Sequence, residues 1–126
     1  MDRESFELEF IFKSSPAMLY NFISASEGLV MWFCEVVEIN EDKYDFYWEG
    51  SKESAILVEH EEESKLVFKW VEAEDEDEYL EFDMYKSPIT NETILKITDF
   101  ADADEVEDQK ELWKSQIEEL RKVLGG

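Results

Sequence analysis

DEVEDQKELWKSQIEELRKVL, residues 104–124, is the stretch of the chain that decides the fold. Apolar residues recur in it at steps of four and three, which predicts a helix of about 20 residues with one apolar stripe. The stripe is made of Val106, Lys110, Trp113, Ile117, Leu120 and Leu124, with Lys110 as the interruption. Because such a helix must bury its stripe against another element, the rest of the chain has to provide an apolar face of similar length.

Both ends of this helix carry residues that start or stop helices. Asp102 with Glu105, or Asp104 with Glu107, has the spacing of a capping box in which Asp replaces the usual Ser or Thr. Acidic residues fill the first turns and basic residues the last, which suits the helix dipole. The glycine pair 125–126 supplies the stop.

The remaining sequence alternates apolar and polar residues in the manner of half-buried strands. A first strand is predicted over residues 5–13, and six more follow between residues 34 and 100. The apolar positions of those six are Val37 and Ile39; Tyr44, Phe46 and Trp48; Ile56 and Val58; Leu66, Phe68 and Trp70; Leu80, Phe82 and Met84; Leu95 and Ile97. The links between them are short and polar, so neighbouring strands should run antiparallel.

Two short helices are predicted after the first strand. Ser15 can cap the first one and Pro16 suits its opening turn, because proline lacks the N–H that would have no partner there. This helix should cover residues 16–23, and its apolar face should hold Met18, Leu19, Phe22 and Ile23. The second should cover residues 27–33.

Together these elements predict an α+β fold in which a seven-stranded antiparallel curved sheet wraps around a long C-terminal helix. The two short helices lie after strand 1. At 126 residues, the chain should form a single domain over residues 1–126, since no linker or internal repeat divides it.

The order of elements and several local motifs resemble the START-like superfamily, also called SRPBCC or helix-grip, and most of all its heat-shock-protein-90 ATPase activator-like group. The motifs are Ser15-Pro16, Gly28-Leu29-Val30-Met31-Trp32-Phe33, Phe46-Tyr47-Trp48-Glu49-Gly50, Leu66-Val67-Phe68-Lys69-Trp70 and Trp113. The resemblance implies a cavity between the sheet and the terminal helix. Members of this superfamily use the cavity for apolar molecules, or reduce it to a packed core where they bind partners. No enzymatic motif of the superfamily matches residue by residue.

The composition restricts the partners and the compartment. With 34 acidic against 12 basic residues, the net charge is -22, and such a field repels phosphate backbones and anionic headgroups. We therefore expect no nucleic acid and no membrane as partner, while a basic protein remains possible. One cysteine, Cys34, and no signal segment point to a cytoplasmic protein.

Catalytic and metal sites find little support in the residue types. Cys34 and His60 would have to meet to form a nucleophilic site, and a buried thiol and a surface imidazole are the simpler interpretation. The acidic run at 72–78 and the acids at 99–104 offer oxygen ligands but lack the pattern of a calcium loop. A solvated acidic surface is the expectation for the run at 72–78. The sequence predicts no catalytic residue, no metal and no cofactor.

Large apolar side chains carry the remaining signal about function. If a ligand cavity exists, its walls should be Trp32, Phe46, Trp48, Phe68, Trp70, Phe82, Met84, Trp113 and Ile117. Polar anchors near its rim could come from Tyr47, Tyr85, Lys69 or Asp83. The same side chains would equally serve as a filled core that holds no ligand.

Three functions therefore stay open. The leading hypothesis is a non-catalytic binding module that holds a small apolar ligand between the sheet and the C-terminal helix. The alternative is an acidic protein-interaction domain, co-chaperone-like, with a filled core and a basic partner. The third is a cyclase-like enzyme, which would need two or more polar groups converging inside the pocket.

Overall fold

The seven strands form one antiparallel sheet with a long helix packed on it. The computed structural model describes residues 2–73, 75 and 77–125. Its elements are β1 (Arg3–Phe12), α1 (Pro16–Ser24), α2 (Ser26–Leu29), β2 (Val36–Asn40), β3 (Lys43–Trp48), β4 (Ser51–Glu61), β5 (Lys65–Trp70), β6 (Leu80–Lys86), β7 (Thr93–Asp102) and α3 (Val106–Leu124). The strand order is β1-β7-β6-β5-β4-β3-β2, so the predicted α+β fold class is confirmed.

Strand β1 enters the sheet beside the last strand, β7. The two pair over ten positions, from Arg3 opposite Asp102 to Phe12 opposite Thr93. All other neighbours follow each other in sequence, as the short links predicted. This pairing places the start of the chain next to the end of β7 and the first turn of α3.

Helix α3 buries the predicted stripe against the sheet. Val106, Trp113, Ile117 and Leu120 are buried, and the helix lies against β1 and β7. Near its end the Arg121 guanidinium lies 4.6 Å from the centre of the Phe12 ring. None of the helices in the described part of the chain has the length and apolarity needed to span a membrane.

One strand departs from the predicted alternation. Ile56 and Val58 of β4 were expected to point inward, yet Val58 is 49% exposed while Ala55 is fully buried. The pairing of β4 with β5 shifts between Leu57 and Glu59, which is a β-bulge. Ahead of this shift Ala55 and Leu57 pair with the inward residues Trp70 and Phe68, so the strand already has the opposite face turned inward. The four consecutive apolar residues 55–58 fit either face, and the period-two pattern does not choose between them.

The helix termini also differ in detail from the prediction. The capping box does not form, because the N-cap is Glu105 and its side chain makes no capping hydrogen bond. Gly125 ends α3 in the left-handed conformation at φ 82°, whereas Gly126 lies outside the described residues. Ser15 does cap α1, accepting from the Met18 N–H at 3.2 Å.

The short helices bury fewer residues than predicted. Leu19 and Ile23 of α1 are fully buried, but Met18 is 51% exposed because it falls on the outer side of the helix. Helix α2 ends at Leu29 rather than at residue 33, and turns continue from there into Phe33.

Gly28 allows α2 to pack directly against α1. A Cβ atom on Gly28 would lie 2.4 Å from Phe22 Cα and 2.6 Å from the Asn21 carbonyl oxygen. Both are backbone atoms of α1, so no side-chain movement could make room. The close approach in turn fixes the segment that leads to Phe33.

We expect Gly28→Ala to lower the free energy of unfolding by about 1–3 kcal/mol, the usual cost of overpacking. Chemical denaturation measures the effect. The control is Gly50→Asn, since Gly50 has φ 73° and a Cβ atom there would meet nothing within 4 Å, and asparagine tolerates the left-handed conformation. Equal stability of Gly28→Ala and the wild type would show that the contact is not restrictive.

Candidate functional site

A pocket of about 590 Å³ opens at one end of the sheet, and we call it the mouth pocket. The β3–β4 hairpin, the end of β5 and the end of β7 surround it together with the first half of α3. Its apolar and aromatic lining consists of Phe33, Trp48, Trp70, Tyr79, Phe100, Ala101, Leu112 and Trp113. Its polar lining includes Arg3, Ser51, Glu53, Glu78, Asp99, Asp102, Glu105, Gln109 and Gln116.

The structure divides the nine predicted cavity residues into two groups. Trp48, Trp70 and Trp113 line the mouth pocket. The other six belong to the packed core, where each is at most 7% exposed: Trp32, Phe46, Phe68, Phe82, Met84 and Ile117. Their rings fit against one another edge to face, as Phe68 does with Phe82 at 6.3 Å. The open space is thus at the mouth, and the interior beneath it is occupied by side chains.

The aromatic lining is held in place by hydrogen bonds and ring contacts. The indole N–H of Trp48 donates to the Phe33 carbonyl at 2.7 Å. The Phe33 ring stacks on Trp113 with centroids 6.0 Å apart and meets Trp48 edge to face at 5.4 Å. Phe46 lies beneath, 5.8 Å from both Trp48 and Trp70. These walls are preorganised rather than free to collapse.

Asp99 is a carboxylate that the fold places inside this aromatic group. It lies on the concave face of β7, which is the side of the sheet that packs against α3, between the buried residues Ile97 and Ala101. Its Oδ2 accepts from the Trp113 indole N–H at 3.0 Å and its Oδ1 from the Phe100 backbone N–H at 2.8 Å. Burial raises the pKa of Asp99, while these two donors act against the rise by stabilising the charged form.

A second polar cluster closes the side of the pocket. Arg3 donates to both carboxylate oxygens of Glu78, from Nε at 2.8 Å and Nη2 at 2.6 Å, and to Asp102 from Nη1 at 3.1 Å. The hydrogen bond with Glu78 raises the pKa of Arg3, and the one from Arg3 lowers the pKa of Asp102. Because Glu78 is only 9% exposed, the expected solvated surface is wrong at this end of the acidic run. Glu74 and Glu76 of that run lie outside the described residues.

Glu53 projects from the opposite wall. It pairs with Phe46 across β3 and β4, which puts its side chain on the concave face at the mouth. An adjoining open cleft of about 830 Å³ shares Glu53, Trp70, Arg3, Glu78 and Asp102 with the mouth pocket. The floor is therefore aromatic and the rim is acidic.

The residues considered for nucleophilic catalysis lie outside the pocket lining. Cys34 is 7% exposed, and burial raises the pKa of its thiol to about 11, which disfavours the thiolate. His60 is exposed on β4. At the edge of the pocket, carboxylate oxygens of Asp102, Asp104 and Glu105 lie within 4.8 Å of one another, and Asp104 and Glu105 are exposed.

The suggested rim anchors point away from the pocket. Tyr47 donates to Glu38 at 2.8 Å, Tyr85 donates to Glu9 at 3.5 Å, and Asp83 faces Lys65 and Lys96 across the neighbouring strands. Lys69 also alternates with the inward residues Phe68 and Trp70. All four suggested anchors are thus on the convex face, so that prediction is wrong. Each of the four occupies a strand position that alternates with inward residues, so the sequence pattern alone already places them on the opposite face.

Sequence reasoning missed the groups that shape the pocket. Arg3 and Glu78 are 75 positions apart in the chain, and they meet because β7 pairs with β1 on one side and with β6, which Glu78 precedes, on the other. Asp99 has a local signal, since it continues the inward parity of Leu95 and Ile97. An acidic residue at an inward strand position departs from the usual pattern of apolar residues inside, and such departures are typical of functional sites.

The chain is similar to several known proteins. The family model described as a START-like superfamily domain matches residues 1–126. A protein from Bacteroides fragilis, solved by NMR in solution, is 34% identical over 98% of this chain and 93% of its own, with a TM-score of 0.69. No curated protein matches the chain.

Two more distant structures share the fold. The Aha1 dimer from Colwellia psychrerythraea has a TM-score of 0.81 at 13% identity and covers 96% of each chain. The protein MLL2253 from Mesorhizobium loti has a TM-score of 0.79 at 13% identity and covers 97% of each. Both likenesses concern the backbone arrangement alone.

We expect Trp113→Phe to raise the pKa of Asp99 further, because the variant removes an N–H that stabilises the carboxylate. When folding raises the pKa of a carboxyl group, the free energy of unfolding decreases as pH rises from the pKa of the unfolded state through the pKa of the folded state. The stability deficit of Trp113→Phe should therefore grow over that pH range. Carboxyl NMR titration and unfolding at several pH values measure both effects.

Trp48→Phe is the matched control for this titration, since it removes an indole N–H that binds the Phe33 carbonyl instead of a carboxylate. It should leave the pKa of Asp99 in place. An unchanged Asp99 titration in Trp113→Phe would contradict the assigned hydrogen bond.

We expect Arg3→Met to lower the free energy of unfolding by about 1–3 kcal/mol, because it leaves a buried carboxylate without its donors. Adding Glu78→Gln should recover part of the loss, since the uncompensated charge is then gone. Thermal or urea unfolding of the two single variants and the double variant measures the coupling. Strictly additive losses would show that the pair contributes no interaction energy.

Proposed function

The chain belongs to the START-like superfamily, and on that basis we propose that it is a non-catalytic binding module for a small apolar ligand held in the mouth pocket. The observation that carries the proposal is the preorganised aromatic lining of this pocket, above all Trp48, Trp70 and Trp113. Trp48 and Trp70 are only partly buried, and tryptophan surface that stays in contact with water at a concave site is unfavourable unless a ligand covers it.

The size and chemistry of the pocket support this function. Small-molecule sites typically enclose about 300–1,000 Å³ and combine apolar walls with a few placed polar groups. The mouth pocket has about 590 Å³, with aromatic walls and the carboxylate of Asp99 between them. The ligand would lie at the mouth between β3, β7 and α3, above the packed core rather than deep inside it.

A protein-interaction domain is the second candidate, and the net charge of -22 favours it. The filled core, which includes six of the nine predicted cavity residues, also agrees with a domain that needs no deep cavity. Such a partner would be basic, and its binding would weaken as salt rises. A retained complex at high salt would count against this candidate.

Binding of the neutral fluorophore N-phenyl-1-naphthylamine tests the leading proposal. The wild type should give saturable fluorescence enhancement with one site. Trp70→Leu should weaken the affinity by roughly tenfold and Leu112→Gln by roughly fivefold, because each removes apolar surface that the probe covers.

Ile11→Gln is the control, because Ile11 is 53% exposed on β1 and Leu112 is 52% exposed in the pocket lining. It should bind the probe as the wild type does. Absence of saturable binding, or binding that ignores both pocket variants, would refute a ligand site at the mouth.

A further inference from the structure

We propose that the ligand of the mouth pocket carries a positively charged nitrogen, so that it is an apolar organic cation such as an aryl or alkyl ammonium. The inference rests on the proposed binding function and names the ligand class of that same site. It comes from the charges of the lining and their positions relative to the tryptophan rings.

Among the residues that the structure describes, the pocket lining holds five carboxylates and one cation. The carboxylates are Glu53, Glu78, Asp99, Asp102 and Glu105, and the cation is Arg3. Glu78 and Asp102 already bind Arg3 as ion pairs. The remaining three carboxylates therefore give the pocket a local charge that a bound anion would oppose and a bound cation would neutralise.

Two of these carboxylates lie on the concave face of the sheet, on strands that two other strands separate. Asp99 lies on the concave face of β7 and Glu53 on the concave face of β4. Each oxygen of Asp99 accepts one N–H, from Trp113 and from Phe100. A carboxylate oxygen has two acceptor positions, so Asp99 retains capacity for a ligand N–H, and its charge also attracts a quaternary ammonium group, which has none.

Aromatic rings supply the second half of cation recognition. The face of an indole attracts a cation within about 6 Å, more strongly than the other aromatic side chains do. Trp48, Trp70 and Trp113 all border this pocket, and Trp113 also binds Asp99. One ammonium group would thus contact a carboxylate together with the rings of Trp48 and Trp70, which are only partly buried, while its apolar part covers the exposed Leu112 side chain.

The charge of the rest of the protein also favours a cationic ligand. The net charge of -22 raises the local concentration of cations at a concave acidic mouth and speeds their association. Anionic amphiphiles such as fatty acids would meet this field throughout their approach. The open acidic cleft beside the pocket extends it past Glu72, Asp75 and Asp77.

The test compares two ligands of nearly equal shape, phenyltrimethylammonium and tert-butylbenzene, which differ in one positive charge. Displacement of N-phenyl-1-naphthylamine from the wild type measures the affinity of each ligand, and calorimetry checks that the binding is direct. We expect the cation to bind about tenfold more tightly than the neutral isostere, because the ring contacts and the carboxylates both favour the positive charge.

Variants of single carboxylates then test which of them recognise the positive charge of the ligand. Glu53→Gln is an exposed change that leaves the core intact, and it should weaken the cation about threefold to fivefold with no effect on tert-butylbenzene. Asp99→Asn should do the same, provided its circular dichroism matches the wild type. Glu61→Gln is the control on the same strand, eight residues from Glu53 and thus about 26 Å along an extended strand.

Each result decides the proposal. Preference for the cation that Glu53→Gln reduces and Glu61→Gln preserves supports it. Equal affinity of the two isosteres overturns the cation proposal and leaves the apolar binding site standing. Equal losses in Glu53→Gln and Glu61→Gln overturn it too, because the preference would then come from overall charge. Failure of both isosteres and of the fluorophore to bind overturns the binding function as well.

Discussion

The packing of Trp113 between the helix and the sheet is the contact on which the rest of the structure depends. Its indole is 5% exposed, stacks on Phe33, meets Phe82 edge to face at 5.8 Å and donates to Asp99. One side chain thus fixes the position of α3, closes the core and forms a wall of the mouth pocket. A tryptophan suits this position because it combines a large apolar surface with one hydrogen-bond donor.

Sequence patterns identify the elements of this fold well, because local periodicity follows directly from burial. The stripe of α3 and the alternating strands predict which layers exist and which faces meet. They do not predict the bulge near Leu57, since one inserted residue changes pairing without changing composition. They also do not predict the Arg3–Glu78 pair, because strand β1 reaches β7 through a non-local pairing.

The candidate site was partly predictable for a related reason. Trp48 and Trp70 are the last residues of β3 and β5, and Trp113 lies within the first half of α3, whereas Phe68, Phe82 and Ile117 lie deeper among other buried residues. Periodicity assigns all of them to the same concave face and does not distinguish floor from mouth. That distinction depends on how the sheet curves and where α3 begins, which only the assembled structure supplies.

The acidic residues differ in where they lie in the structure. Most acids are dispersed on exposed surfaces, where neighbouring lysines screen them weakly, as Lys122 does with Glu119 at 3.4 Å. Asp99 and Glu78 are different, because Glu78 is buried, Asp99 is half-buried at the pocket, and each accepts hydrogen bonds from specific donors. Burying a charge is unfavourable unless it is compensated, so a fold that keeps Asp99 among tryptophans accepts a cost to stability. A ligand of opposite charge would offset that cost on binding, which joins the structural role of Trp113 to the chemistry of the pocket.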